Sequence, residues 1–219
     1  MKFTVRGAVP LALLGLVAVA VVAGAVALGM AVFGGDDNGG KADYLGAVTS
    51  RPVDMPDVTL TDQNGQPFDL QKQTDGYVTL LYVGYTHCPD ICPTHLYNMS
   101  EALKQLPKDV SSKVKVVFVT ADPERDSPDV LKTYLKTFDP NFIGLTGTRE
   151  QTDAFQETLG VNVATRTDLG NGNYTVNHAA YVIAFTKEKV AYTVYPAGMG
   201  IPEWLNDLPL LVKKGFQPS

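Results

Sequence analysis

The longest uncharged stretch lies near the amino terminus and limits where this part of the chain can reside. Residues Ala8 to Phe33 carry no charged side chain, and the run exceeds the roughly 20 apolar residues that cross a bilayer. We therefore predict a single transmembrane anchor within residues 1–33, followed by a glycine-rich tether at residues 34–43. A cleaved signal is the alternative, because Ala23-Gly24-Ala25 resembles a small-residue cleavage site.

The charges that flank this run predict its orientation. Lys2 and Arg6 precede it, and Asp36 and Asp37 follow it. The positive-inside rule keeps the amino terminus in the cytoplasm, so residues 44–219 are expected on the extracytoplasmic side of the cell membrane. Cysteines in that compartment meet an oxidising environment.

The charge balance does not favour a nucleic-acid partner. The formal net charge is -5, and no long run of Lys or Arg is present. Proteins that bind a phosphate backbone normally carry a basic patch. We therefore expect no nucleic acid among the partners.

Apolar β-branched segments alternate with helical patterns after residue 44, which predicts one α/β domain over residues 44–219. A hairpin is expected around Asn64-Gly65. The predicted strands are Tyr77–Tyr85, Lys113–Thr120, Phe142–Leu145, His178–Phe185 and Lys189–Tyr195, with a hairpin within Val161–Val176. The predicted helices are Pro93–Leu106, Ser127–Phe138, Thr148–Gly160 and Pro202–Lys214. This order fits a thioredoxin-like mixed sheet flanked by helices.

The chain has only two cysteines, Cys88 and Cys92, so a network of disulfides cannot hold the fold together. They lie between a predicted central strand and a predicted helix, and functional sites collect at such strand ends. A helix amino terminus stabilises a thiolate. The pair is therefore interpreted as a local site.

Four chemistries are open for this pair. Soft thiolates suit Cu(I), with a histidine from elsewhere completing the ligand set. The thiols could instead be a redox pair, although the usual redox spacing is one residue shorter. A zinc site and a structural disulfide or inert pair are the other two possibilities. A peroxidase would need an activating arginine, and none can be placed from the sequence.

Only three histidines are available. His87 adjoins Cys88 and could tune its thiol or face away from it. His95 lies one turn into the predicted helix and is expected to be solvated. His178 begins a predicted strand, and it becomes a ligand candidate if the fold brings that strand end beside the cysteines.

The segments GYTHCPDICPTHL, TADPERDSPDVLKTY, FIGLTG and YTVNHAAYVIAF, in this order, resemble the Sco/SenC family of thioredoxin-like copper-binding proteins. The resemblance implies that Cys88, Cys92 and His178 bind a copper ion. It also implies a role in assembling the binuclear copper centre of cytochrome c oxidase, by delivering copper, by reducing that centre's cysteines, or both. The implied partners are the copper-containing oxidase subunit, other copper chaperones and thiol-disulfide reductases.

One residue departs from the family pattern. An aspartate commonly precedes the family's histidine, and Asn177 stands there in this chain. We expect this difference to affect the groups that tune the histidine and not the identity of the ligand itself. A membrane-anchored thiol-disulfide oxidoreductase, in which Cys88 and Cys92 exchange electrons without metal, is the alternative function.

The charged segment from Asp122 to Asp126 follows a predicted central strand, so it is expected on the same rim as the cysteines. It could form a docking surface for a partner. A solvated loop that caps the next helix is an equally good interpretation.

Overall fold

The computed structural model describes residues 44–216. The predicted anchor at residues 1–33 and the tether at residues 34–43 lie outside the described residues and remain predictions. Between residues 44 and 216, no helix is both long enough and apolar enough to cross a membrane.

Strands and helices alternate through most of the described chain. The strands are β1 (Ala47–Asp54), β2 (Thr59–Asp62), β3 (Pro67–Asp69), β4 (Val78–Gly84), β5 (Val114–Thr120), β6 (Ile143–Thr146), β7 (Thr165–Gly170), β8 (Asn173–Asn177), β9 (Tyr181–Phe185) and β10 (Val190–Pro196). The helices are α1 (Leu70–Gln73), α2 (Ile91–Gln105), α3 (Lys108–Ser111), α4 (Pro128–Lys136), α5 (Arg149–Leu159) and α6 (Ile201–Lys214).

Eight strands form one mixed sheet in the order β1-β10-β9-β4-β5-β6-β2-β3, and β7 and β8 form a separate hairpin. Strand β4 runs parallel to β5 and antiparallel to β9, with Tyr82 opposite Val182. The carboxyl end of β4 and the beginning of β9 therefore lie side by side, at the same ends of the central strands. This topology brings a segment far along the chain beside the residues that follow β4.

Strand β4 lies inside the sheet because its sequence has no polar face. All seven of its residues are buried, as expected of a strand covered on both sides. Helix α2 follows β4 after a six-residue loop (residues 85–90) and packs against α6. The core thus fixes both ends of the segment, residues 85–92, that carries the cysteines.

Local sequence signals account for the helix ends. Ser127 accepts a hydrogen bond from the Val130 amide at the start of α4, where Pro128 occupies the first position. Thr148 and Gln151 form the predicted capping box of α5. Gly160 ends that helix with a φ of 75°, a conformation that glycine adopts without strain.

Two features of the sheet differ from the sequence-based expectation. Strand β1 was not expected, because Pro52 and its largely exposed residues give no apolar alternation. It forms by pairing with β10 at the edge of the sheet. His178 was expected to begin a strand, but β9 starts at Tyr181, so His178 lies in an irregular link between β8 and β9.

Candidate metal centre

The two cysteines lie on either side of the start of α2. The Cys88 amide donates to the Tyr85 carbonyl at 3.2 Å, which folds the chain into a tight turn directly after β4. Cys92 is the second residue of α2 and its side chain is wholly buried, whereas Cys88 is partly exposed. The loop therefore offers one sulfur near the surface, and the first turn of α2 offers one in the interior.

His178 reaches the cysteines from the other side of this sheet edge. The Nε2 atom of His178 lies 3.5 Å from the Cys92 Sγ. One donor atom each from Cys88, Cys92 and His178 lies within 4.8 Å of the other two. The three side chains that the sequence singled out are thus brought together, at separations that the ligands of a single metal ion can adopt.

The orientation of His178 is set by its own backbone. Its Nδ1 atom lies 3.1 Å from the Ala179 carbonyl oxygen, which accepts only and so makes Nδ1 the donor. The lone pair of Nε2 is then directed at the thiols, as in metal-ligating histidines. The Asn177 side-chain amide donates a hydrogen bond to the Thr167 hydroxyl in the β7–β8 hairpin. The group that supports the His178 ring is therefore a main-chain carbonyl.

The two thiols have different proton affinities. Hydrogen bonding from Cys92, and further from the amides at the start of α2, holds the pKa of Cys88 well below its ordinary value. Burial raises the pKa of Cys92, and the Cys88 thiolate raises it further. In the reduced pair, Cys88 therefore carries the negative charge and Cys92 keeps its proton.

Tyr82 and Gly84 on β4 shape the buried half of the site. The Tyr82 hydroxyl donates to the Cys92 Sγ at 3.4 Å, and its ring centroid lies 6.0 Å from that of His178. A Cβ on Gly84 would lie 2.9 Å from the Cys92 Sγ and 2.8 Å from the Phe118 ring. Only glycine leaves room for the sulfur to pack here.

His95 does not have the solvated environment expected from the sequence. It is buried, and neither ring nitrogen makes a hydrogen bond in the described structure. Its ring lies 5.0 Å from that of Tyr82, and burial lowers its pKa. The spacing of His95 from Cys92 is the sequence signal for this burial, because residues three apart share one face of a helix.

The segment after β5 also differs from a solvated loop. Asp122 is wholly buried, where it accepts a hydrogen bond from the Tyr174 hydroxyl at 2.8 Å and pairs with Arg166 at 3.0 Å and with Arg125. The guanidinium of Arg125 lies 3.7 Å from the Tyr174 ring centroid. These contacts fasten the β7–β8 hairpin, and with it the His178 link, to the rim of the sheet.

A second buried carboxylate supports the cysteine loop directly. Asp126 accepts hydrogen bonds from the Thr86 amide at 3.0 Å and from the Thr120 hydroxyl at 2.7 Å. His87, the residue between Thr86 and Cys88, is exposed and lies outside the three-residue cluster. The hydrogen bonds of Asp126 to the loop could not be predicted from the sequence, because its partners come from two separate segments.

Comparison with known proteins agrees with this geometry. The model of the SCO1/SenC family matches residues 49–213, which is most of the chain. The chain belongs to the SCO1/SenC family. A SCO2-like protein of Rickettsia felis is 42% identical over 128 residues, which are 57% of this chain and 60% of that protein. The mitochondrial protein SCO2 of Saccharomyces cerevisiae is 40% identical over 123 residues, 56% of this chain and 40% of that protein. The chain thus matches between two fifths and about three fifths of the length of these SCO relatives.

Solved structures of SCO1/SenC proteins have the same fold. Copper-bound ScoI of Bradyrhizobium japonicum has a TM-score of 0.64 at 34% identity, covering 75% of this chain and 99% of that one. Copper-bound yeast Sco1 has a TM-score of 0.65 at 28% identity, covering 80% and 92%. BsSco, a member of the Sco family of cytochrome c oxidase assembly proteins in which a disulfide switch was identified, shares the fold with a TM-score of 0.60 at 18% identity, covering 76% and 98%. The predicted mixed α/β architecture is confirmed.

Proposed function

We propose that the chain binds one copper ion through the sulfurs of Cys88 and Cys92 and the Nε2 of His178. The observation that carries this proposal is the mutual approach of the three donor atoms to within 4.8 Å. Thiolate ligands prefer soft ions such as Cu(I), and imidazole suits copper in either oxidation state. The copper-bound structures of two relatives in the family support copper over zinc.

The proposed role is that of a copper chaperone in the assembly of cytochrome c oxidase. The copper is cargo, to be delivered to the binuclear copper centre of the oxidase's copper-containing subunit. Family membership and the description of BsSco as one of a family of oxidase assembly proteins support this role. Other copper chaperones or thiol-disulfide reductases are the proposed upstream partners. The chain then acts as a carrier and not as a metabolic enzyme.

A second candidate function is reduction of that centre's cysteines, and the different pKa values of the two thiols favour it. A low-pKa, partly exposed Cys88 suits attack on a substrate disulfide, and buried Cys92 suits the resolving step. The two thiols would lose two electrons and two protons to become a disulfide, while the substrate disulfide gains both and becomes two thiols. A disulfide cannot hold Cu(I), so copper loading and oxidation exclude each other.

We further propose that the domain works on the extracytoplasmic side of the cell membrane, held by the predicted anchor within residues 1–33. The charges that flank the apolar run support this location. Labelling of a chain that carries Cys88→Ala, Cys92→Ala and Ser219→Cys tests the orientation. An impermeant thiol reagent added to intact cells should label it.

The copper proposal is tested by anaerobic titration of the reduced full-length chain in detergent, followed by metal analysis and absorption spectroscopy. We expect one copper per chain, with sulfur-to-Cu(II) charge-transfer bands after loading with Cu(II). Cys88→Ala, Cys92→Ala and His178→Ala should each lower the affinity strongly. Full affinity in His178→Ala would contradict the three-ligand site, and turnover of a disulfide substrate by a chain that binds no copper would favour the second function.

A further inference from the structure

Tyr85 is a buried tyrosine that contacts both parts of the proposed metal centre. It is the first residue after β4, and only 2% of its surface is accessible to solvent. Its carbonyl accepts the hydrogen bond from the Cys88 amide that turns the cysteine loop. Its ring centroid lies 5.6 Å from that of His178. One residue therefore joins the cysteine side of the site to the histidine side.

The geometry of this ring pair restrains the imidazole. The planes of the two rings cross at 79°, which is an edge-to-face arrangement. Aromatic rings favour this arrangement at centroid separations of roughly 4.5–7 Å. Tyr82 approaches the same imidazole at 6.0 Å and 71°. Rotation of the His178 ring would therefore disturb contacts with two tyrosines.

The contact of the His178 Nδ1 with the Ala179 carbonyl orients the ring within its own link, but it does not by itself place the ring relative to the cysteines. The two residues are adjacent, and residues 178–180 belong to no strand, so both partners of this contact move together with the link. Tyr85, in contrast, directly follows the buried central strand β4. Its ring gives the imidazole a reference point in the core.

The hydroxyl of Tyr85 holds the tyrosine ring in turn. It shares a hydrogen bond with the Thr175 hydroxyl at 3.0 Å. Thr175 lies in β8, three residues before His178. The far end of the Tyr85 side chain is therefore fastened to the strand that leads to His178, and the ring cannot turn away from the imidazole without breaking this bond.

We propose that Tyr85 is a positioning residue, whose ring keeps the imidazole of His178 within reach of a copper ion held by Cys88 and Cys92. The inference rests on the proposed copper function of that site. Soft thiolates bind Cu(I) by themselves, so a displaced His178 would leave the ion with two sulfur ligands. Tyr85 thus determines whether Cu(I) has two protein ligands or three. Tyr82 cannot isolate this effect, because its hydroxyl also donates to the Cys92 sulfur.

The test measures copper affinity and copper coordination in the same variants. The reduced full-length chain in detergent is loaded anaerobically with Cu(I), its affinity is measured by competition with bicinchoninate, and its nitrogen ligands are counted by X-ray absorption. Tyr85→Leu removes the ring, and Tyr85→Phe keeps the ring without the hydroxyl. We expect Tyr85→Leu to lower the Cu(I) affinity roughly tenfold, the lower limit typical of groups that orient a metal ligand, and to lose the nitrogen ligand. Tyr85→Phe should recover most of the affinity and the nitrogen ligand.

A His178→Ala background separates positioning from a general loss of structure. There Tyr85→Leu should change the affinity by less than about twofold, because the group through which Tyr85 acts is gone. Phe155→Leu is the matched control. It removes a buried ring from α5, whereas the ring contacts of His178 within residues 44–216 are with Tyr82 and Tyr85.

A measurement on the wild-type chain tests the ring contact without any substitution. In the reduced metal-free chain, nuclear Overhauser contacts between the ring protons of Tyr85 and His178 should be present, and their absence would overturn the inference. Wild-type affinity in Tyr85→Leu would also overturn it, as would an equal loss in Tyr85→Leu and Tyr85→Phe, or a loss that is the same with and without His178. Absence of copper uptake by the wild-type chain is a distinct outcome, because it would refute the proposed function itself.

Discussion

The hydroxyl of Tyr82 donates a hydrogen bond to the Sγ of Cys92 over 3.4 Å, in the interior of the sheet. This bond is the one contact from β4 that lowers the pKa of Cys92, against the large increase caused by burial. Tyr82 therefore makes the buried sulfur a better anion than its surroundings alone would allow.

Replacing Tyr82 by Phe should weaken copper binding because the Cys92 thiolate loses its hydrogen-bond donor. We expect a decrease of roughly tenfold in Cu(I) affinity, measured by competition with a chromophoric chelator. Tyr134→Phe is the matched control, since the buried Tyr134 hydroxyl makes no hydrogen bond in the described structure. If both variants lose affinity equally, the Tyr82 bond is not the cause.

The substitution Gly84→Ala should disturb the core and the site together. Its Cβ would lie under 3 Å from both the Cys92 sulfur and the Phe118 ring, so one of them must move. We expect a loss of about 1–3 kcal/mol in the free energy of unfolding, measured by urea denaturation of the metal-free chain. Gly200→Ala is the control, because its Cβ would meet nothing nearer than 3.4 Å.

The two cysteines should react with iodoacetamide at different pH. Only the thiolate reacts, and the lowered pKa of Cys88 means that its thiolate persists as the pH falls from 8 to about 5, well below the usual cysteine value of about 8.5. The raised pKa of Cys92 keeps that thiol protonated over the same interval. Peptide mass spectrometry of the reduced metal-free chain should find Cys88 alkylated first. Preferential alkylation of Cys92 would contradict the charge assignment.

The substitution Asp122→Asn should loosen the β7–β8 hairpin. It leaves Arg125 and Arg166 facing a neutral amide, and breaking a buried ion pair costs roughly 3 kcal/mol when the arginines keep some solvent contact. Hydrogen exchange should accelerate in residues 165–177. Asp75→Asn is the control: it removes an exposed pair with Lys189 and should change the stability by less than about 1 kcal/mol.

The sequence predicted the parts of the fold whose signals are local. The uncharged strand before Cys88, the Ser127-Pro128 helix start and the Thr148–Gln151 capping box all lie within about ±2 residues of their expected positions. Strand β1 could not be predicted because an edge strand with an internal proline is stabilised by its partner β10 and not by its own pattern.

The same distinction applies to the site. Cys88 and Cys92 were found because they are the chain's only cysteines and lie between a predicted strand and a predicted helix, and His178 was found through the family motif. The burial of Asp122 was missed because its compensating partners, Arg166 and Tyr174, lie more than 40 residues away in sequence. A carboxylate is buried only where such partners converge, and convergence is a property of the folded chain.

The centre takes its ligands from two kinds of structure, a turn and helix start packed against the core and an irregular link. The sulfur of Cys92, on helix α2, packs in the core against Tyr82 of β4, a strand that pairs with a neighbour on each side. His178 is carried by residues 178–180, which belong to no strand. The Ala179 carbonyl orients the His178 ring, so a change between Cu(I) and Cu(II), which favour different geometries, acts on this contact before it acts on the strands.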